Sequence, residues 1–166
     1  MRGMPNDLRL DDTDRAILEA LSEDARIPNN KLAERVGVAA STALQRVRAL
    51  REAGVLRGFH AEIDLAALGR PLQAMVAVRL AVHNREQIET FTNAVRDLPG
   101  VITVFHLAGA TDYLVWLAAA DAQDLREFVV DHLATHPAVA HAETSLIYEH
   151  RRGPGIWGAA EPGTQR

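Results

Sequence analysis

The chain has no cysteine and no long hydrophobic run. The lack of cysteine excludes a disulfide framework, a thiolate zinc site and a cysteine nucleophile. No stretch reaches the roughly eighteen uninterrupted apolar residues that a membrane span requires. The N-terminal MRGMPNDLRL also has no apolar core of signal-peptide length. We therefore expect a cytoplasmic protein with no membrane partner.

Common enzyme and metal motifs are also missing. The chain has no GxSxG elbow, no glycine-rich phosphate loop and no dinucleotide fingerprint. Its histidines form no HExxH motif, and only His132 and His136 are one helical turn apart, where Pro137 interrupts the helix. We therefore predict no catalytic residue, no cofactor and no metal site.

Positive charge is scarce overall but concentrated in one segment. The net charge is −4, so bulk electrostatics does not indicate a nucleic-acid ligand. Residues 40–58, however, carry four arginines against one glutamate, whereas residues 71–166 carry seven arginines against eleven carboxylates. This asymmetry predicts a first part that faces a polyanion and a second part that faces something else.

Apolar spacing predicts three short helices in the first part. Asp11 or Asp12 is expected to cap the first helix. Asn29 is expected to cap the second, which ends at Gly37. The third spans residues 40–53, and its inner face is expected to carry Leu44, Val47 and Leu50. This arrangement is that of a helix-turn-helix, in which the third helix lies in the DNA major groove.

The outer face of the third helix carries the predicted DNA contacts. Short polar side chains at its start can reach phosphates or base edges, and Gln45 and Arg46 can contact adenine or guanine edges bidentately. Further arginines add phosphate contacts. The alternative is the solvated face of an ordinary helical bundle, which accounts for fewer of these features. The predicted DNA-binding residues are Ser41, Thr42, Gln45, Arg46, Arg48, Arg51 and Arg57.

The second part predicts a ferredoxin-like α+β domain. Residues 55–64 alternate loosely, which favours a strand or small wing, and residues 65–71 form a linker. A βαββαβ order follows, with strands at 74–82, 101–108, 113–119 and 139–148 and helices at 85–98 and 122–135. We expect domains at residues 10–69 and 70–150, then a largely disordered tail at 151–166 in which Trp157 could dock on a partner subunit.

The third predicted strand is apolar on both faces, although the two helices can cover only one. Residues 114–118 read Leu-Val-Trp-Leu-Ala. Something must cover the other face, and a sheet-to-sheet homodimer is the economical solution.

The segment Gly109–Tyr113 is the candidate effector site. A glycine permits close backbone approach, exposed amides can meet a carboxylate, and Asp112 can meet an ammonium group. An amino acid offers both groups. The alternative is a plain turn that uses glycine and aspartate for backbone geometry alone. The candidate effector-binding residues are Gly109, Ala110, Thr111, Asp112, Tyr113 and, more weakly, Thr144.

From Leu10 to His150 the chain resembles the Lrp/AsnC family of feast/famine regulators. The resemblance implies a winged helix-turn-helix joined to a βαββαβ domain, and dimers that can assemble into tetramers or octamers. It also implies a pseudo-palindromic double-stranded DNA operator and an amino acid bound where ligand domains meet. Ala39 departs from the family, which often has a capping serine there. The matching positions include Asp11, Asp14, Leu32, Ala33, Gly37, Ser41, Thr42, Arg46, Leu50 and Gly54, with 98–101 and 109–113.

Two alternatives share the architecture. Siroheme decarboxylases resemble this family but act as enzymes, and His106 and His141 could surround a tetrapyrrole. A stand-alone ligand sensor that has lost DNA binding is the other. The basic third helix, with Arg46, Arg48 and Arg51 beside Gln45, argues against both.

Overall fold

The computed structural model describes residues 9–81, 85–153 and Ile156, without the side chains of residues 85–87. The chain divides into two compact units, of which the second spans Ile63–Arg151. Residues 154, 155 and 157–166 of the predicted tail, including Trp157, lie outside the described residues. Among the described helices, none is long and apolar enough to cross a membrane.

The first unit contains the three predicted helices, α1 (Asp12–Glu23), α2 (Asn29–Val36) and α3 (Ala40–Glu52). Asp11 caps α1, as predicted, because its Oδ1 accepts the backbone N–H of Asp14 at 2.8 Å. The Asp14 carboxylate reaches back to the Asp11 backbone N–H at 3.3 Å. This reciprocal capping box satisfies two amides that α1 itself cannot pair.

The predicted cap of α2 is wrong. Pro28 occupies the cap position and makes no side-chain hydrogen bond, while Asn29 is already the first helical residue. The Asn29 side chain instead donates to the backbone oxygen of Ala40 at 2.8 Å, which ties α2 to the start of α3. Gly37 ends α2 in the left-handed conformation, with φ 71°, as predicted.

The inner face of α3 differs from the prediction at Leu44. Ala43 and Leu50 are buried, whereas Leu44 is 41% exposed. Ala43 and Leu50 are seven residues apart and share one line along the helix, while Leu44 is turned about 100° from Ala43. Leu50 packs in a small core with Ile17, Ala20, Leu21 and Leu32.

Residues 55–64 form no strand, so the strand predicted there is not observed. Gly54 turns the chain after α3 with φ 71°. The backbone N–H of Leu56 then bonds to the oxygen of Leu50 at 3.0 Å, which holds the chain against α3. Residues 65–69 form the expected short turn.

The second unit has the predicted βαββαβ order. Its elements are β1 (Leu72–Leu80), α4 (Arg85–Arg96), β2 (Val101–His106), β3 (Tyr113–Ala119), α5 (Ala122–Phe128) and β4 (Val139–Ile147). The sheet order is β2-β3-β1-β4, with all neighbours antiparallel. The second helix, predicted as one element, continues after α5 as a π-helical segment at Val129–Ala134.

One face of this sheet carries the core. Alternate residues of β1 and β3 point into it, including Val76, Val115 and Leu117, and they pack against Phe91 of α4 and other helical residues. The opposite face carries apolar residues that remain partly exposed. They are Met75, Ala77, Phe105, Leu114 and Trp116. We call these five residues the open sheet face.

Candidate DNA-binding and effector-binding sites

The outer face of α3 is polar and basic, as predicted. Ser41, Gln45 and Arg48 are exposed and lie at i, i+4 and i+7, so they share one side of the helix. Arg51 and Leu44 are exposed at its margin, while Thr42 is half-buried. A row of hydroxyl, amide and guanidinium groups can donate to phosphates and base edges.

The start of α3 has no side-chain cap, as the departure at Ala39 predicts. The helix nevertheless begins at Ala40, as predicted. Its first backbone amides therefore remain available to an anion such as a DNA phosphate.

Arg46 is placed differently from the other predicted contacts. Its Nη1 atom donates to Asp11 Oδ2 at 2.5 Å and to Asp14 Oδ1 at 3.1 Å. The pKa of Asp11 lies below its usual value, first because of the bond from the Asp14 backbone N–H and then because of Arg46. The two carboxylates in turn raise the pKa of Arg46. Arg46 thus faces α1 rather than the row on α3.

Arg57 is exposed in the irregular segment after α3. It lies past the turn at Gly54, so it does not belong to the row on the helix. Its exposure leaves the guanidinium available for a phosphate contact.

The predicted effector loop exposes backbone donors. The N–H of Leu107 bonds to the oxygen of Asp112 at 2.8 Å and closes the loop. Gly109 has φ 151°, a conformation that favours glycine, and open space surrounds it. Among the described residues, the N–H groups of Gly109, Ala110 and Thr111 donate no hydrogen bond. These N–H groups can donate hydrogen bonds to a carboxylate.

Asp112 and Tyr113 are placed beneath the loop. Asp112 is 9% exposed, and its Oδ2 accepts the backbone N–H of Leu80 at 2.8 Å. Tyr113 is fully buried, with its hydroxyl 2.9 Å from Thr92 Oγ1 and 3.2 Å from the oxygen of Ile88. This geometry favours the turn interpretation for these two residues, because they fix the loop to the sheet.

Thr144 lies away from the loop within one chain. It is exposed on β4, where it pairs with Val76, and β1 therefore separates it from β3. The structure brings Gly109, Ala110 and Thr111 together but does not bring Thr144 to them.

The histidines proposed for a tetrapyrrole are far apart. His106 is on β2 and His141 on β4, the opposite edges of the sheet. His106 stacks on Tyr113, with ring centroids 4.7 Å apart. Within the described ranges, no group of three or more histidines and carboxylates could hold a metal ion.

Both parts of the chain match known domain families. Residues 10–57 match a winged helix-turn-helix DNA-binding model, and residues 73–152 match an Lrp/AsnC ligand binding domain model. The fold and the exposed face of α3 thus define a DNA-binding transcriptional regulator with a separate ligand-binding domain. The chain belongs to the Lrp/AsnC family.

Individual relatives agree with this assignment. The HTH-type transcriptional regulator AldR of Mycolicibacterium smegmatis is 51% identical over 154 residues, covering 91% of this chain and 90% of the relative. The crystal structure of MtbAldR has a TM-score of 0.73 and 46% identity, covering 87% and 98%. A Neisseria meningitidis regulator solved as an L-Met complex has a TM-score of 0.79 and 33% identity, covering 87% and 93%. Because these relatives are named as regulators, they support a non-enzymatic role.

Proposed function

We propose that this chain is an amino-acid-responsive regulator that binds DNA as a homodimer. The proposed domains are residues 10–69 for DNA and 70–150 for effector binding and assembly. The observation that carries the proposal is the loop at residues 107–112, where three N–H groups suit a carboxylate because they donate to no group in the described part of the chain. A regulator of this kind acts on DNA, so we propose a cytoplasmic location.

The effector would sit on Gly109, Ala110 and Thr111, with Asp112 and Tyr113 holding the loop in place. The similarity to the Neisseria meningitidis regulator, which was solved with L-Met, supports an amino acid as the effector. Thr144 is two strands away, so in this proposal it contributes only from a second copy of the chain.

The homodimer would form through the open sheet face. This face is continuous, because Met75 pairs with Trp116, Ala77 pairs with Leu114, and Leu114 pairs with Phe105. The side chain of Trp116 is anchored by its Nε1 donating to Gln73 Oε1 at 3.1 Å. A second copy would cover this apolar surface, which α4 and α5 cannot cover because they pack on the other face of the sheet. Tetramers or octamers would be built from such dimers.

DNA binding would use one α3 helix from each protomer. Two such helices about one duplex turn apart, roughly 34 Å, would select pseudo-palindromic sites. Ser41, Thr42, Gln45 and Arg48 would contact base edges or phosphates, while Arg51 and Arg57 would contact phosphates.

A thermal-shift screen against the twenty amino acids tests the effector. A true effector at about one hundred times its Kd should stabilise the protein by about 2.7 kcal/mol. Gly109→Val should lose this shift, since φ 151° is strained for valine. Gly153→Val is the matched control, because Gly153 is exposed and outside the loop. No shift with any of the twenty, or an equal shift in Gly109→Val, would contradict the proposed site.

A further inference from the structure

We infer that Arg46 acts on DNA binding from a distance, as a positioning residue that fixes α3 against α1 through Asp11 and Asp14. The inference rests on the proposed DNA-binding function. It reassigns Arg46 from a DNA contact to the link between two helices, and it makes the start of α1 part of the DNA-binding apparatus.

The two carboxylates serve the cap of α1 and Arg46 at the same time. Asp11 gives Oδ1 to the Asp14 backbone N–H and Oδ2 to Arg46. Asp14 gives Oδ2 to the Asp11 backbone N–H and Oδ1 to Arg46. The capping box therefore holds both carboxylates in the positions where they accept from Arg46. Because the bonds are charge-assisted and share one guanidinium nitrogen, they define where α3 lies relative to the start of α1.

The position of Arg46 around α3 supports this role. Arg46 is about 100° around the helix from Gln45 and about 200° from Arg48. Its side chain is 38% exposed, and that of Asp14 is only 11% exposed. If Arg46 were to reach a phosphate or a base edge beside Gln45 and Arg48, it would have to leave both carboxylates. Asp14 would then keep a charge in a largely buried position without its partner, which is costly.

The two roles of Arg46 predict opposite effects when the carboxylates lose their charge. If Arg46 were a DNA contact, Asp11→Asn with Asp14→Asn would release it and remove two negative charges beside a polyanion. DNA binding would become tighter. If Arg46 positions α3, the same change loosens the helix and DNA binding becomes weaker.

The experiment uses the full chain and a duplex that the wild-type protein has selected from a random-sequence pool. We expect the double variant Asp11→Asn, Asp14→Asn to bind this duplex about tenfold more weakly, the order of one lost bidentate base contact. Asparagine caps helices as well as aspartate, so the cap at residue 11 is retained. The control is Asp12→Asn, which removes one negative charge from the same turn and thus matches the single variant Asp11→Asn in charge. Asp12 is exposed, and its ion pair is a long one of 3.9 Å to Arg15 rather than to Arg46. This variant should therefore bind like wild type.

The salt dependence of DNA affinity gives a second measurement, because the loss of a phosphate contact would change it. Arg46→Gln should weaken binding without changing the slope of log affinity against log salt, whereas Arg57→Gln, at a proposed phosphate contact, should lower that slope by about one. Circular dichroism at the assay temperature checks folding. If the double variant is unfolded, the exposed single variant Asp11→Asn replaces it.

Equal or tighter binding by the carboxylate variant, or a slope lowered by about one in Arg46→Gln, would overturn the positioning role. Failure of the wild type to select any sequence would instead refute the proposed DNA-binding function, so the two failures are distinguishable.

Discussion

Helix α3 and strand β3 each bury one face, but they expose different chemistry on the other. The exposed face of α3 carries Ser41, Gln45 and Arg48, whereas the exposed face of β3 carries Leu114 and Trp116. A charged and polar face is stable in water and can meet DNA phosphates. An apolar face gains free energy when it is covered. The two faces therefore support the proposal that one unit meets a polyanion and the other meets a second copy of the chain.

The two units also differ in the size of their cores. Among the described residues, the core cluster of the first unit has five buried members and that of the second has thirteen. A small core leaves little margin, so interactions such as the pairing of Arg46 with Asp11 and Asp14 carry a larger share of the first unit's stability. In the second unit, apolar packing dominates.

The largest effect is expected from a charge on the core face of β3. Val115 is fully buried against the helices, so Val115→Asp places an unpaired carboxylate in an apolar core, which costs several kcal/mol. We expect the second unit to unfold while the three helices of the first unit remain. Limited proteolysis with mass spectrometry would identify the surviving fragment. A second unit that resists protease in the variant would contradict the assignment of faces.

The neighbouring residue should give a different result. Leu114 lies on the open sheet face, so Leu114→Asp should leave the unit folded but prevent dimer formation. Sedimentation at tens of micromolar would show a monomer with a native circular dichroism spectrum. Leu107→Asp, an exposed apolar position outside the strands, controls for the added charge. A dimeric Leu114→Asp protein would show that this face is not the interface.

A smaller effect is expected from the exposed face of α3. Arg48→Ala should weaken binding to a selected duplex by about 1–3 kcal/mol if it contacts a base edge, and should reduce discrimination among sequences. Arg57→Ala should weaken binding evenly across sequences and lower the salt slope by about one. Fluorescence anisotropy at several salt concentrations separates the two. Unchanged affinity in both variants would remove α3 and the following segment from the DNA interface.

The variant Asp112→Ala tests how the effector loop depends on its attachment to the sheet. This variant leaves the buried backbone N–H of Leu80 without its acceptor, which should cost about 1–3 kcal/mol of stability. DNA binding without effector should be nearly intact, because the loop and α3 belong to different units. Chemical denaturation measures the first effect, and calorimetry with an effector from the screen measures the loss of binding. If Asp112→Ala were as stable as wild type, the bond to Leu80 would contribute nothing to the free energy of unfolding.

Regular periodicity explains why most of the fold could be predicted. The observed bounds of β3 are those predicted, since a short apolar run between turn residues marks a buried strand. Leu44 was misplaced because Leu44, Val47 and Leu50 are spaced by three. Each such step falls about 60° short of a full turn, so the first of the three rotates out of the core.

The sites were harder to predict because they depend on partners distant in sequence. The position of Arg46 next to Gln45 predicts a DNA contact, but the local sequence does not show that Arg46 pairs with Asp11, which is 35 positions away. Likewise, a Gly-Ala-Thr-Asp sequence does not distinguish a carboxylate that meets a ligand from one that accepts the N–H of Leu80. For the pairing of Arg46, the only local signal in the sequence was the pair of capping-box aspartates, Asp11 and Asp14, at the start of α1.

The smallest effect is expected from acid, and it should fall on the first unit. The pKa of Asp11 is lowered in the folded chain, so its contribution to stability is present above the unfolded value of about 3.9 and is lost as pH falls through the folded value. The pKa of Asp97 is also lowered, by the adjacent Arg96. That pair joins consecutive residues and can persist in the unfolded chain, whereas Asp11 meets Arg46 only after folding. Melting curves between about pH 5 and pH 3 should therefore show a smaller acid loss in Asp11→Asn than in wild type, while Asp97→Asn behaves like wild type. An equal acid loss in Asp11→Asn and wild type would show that the Asp11 to Arg46 pair does not stabilise the first unit.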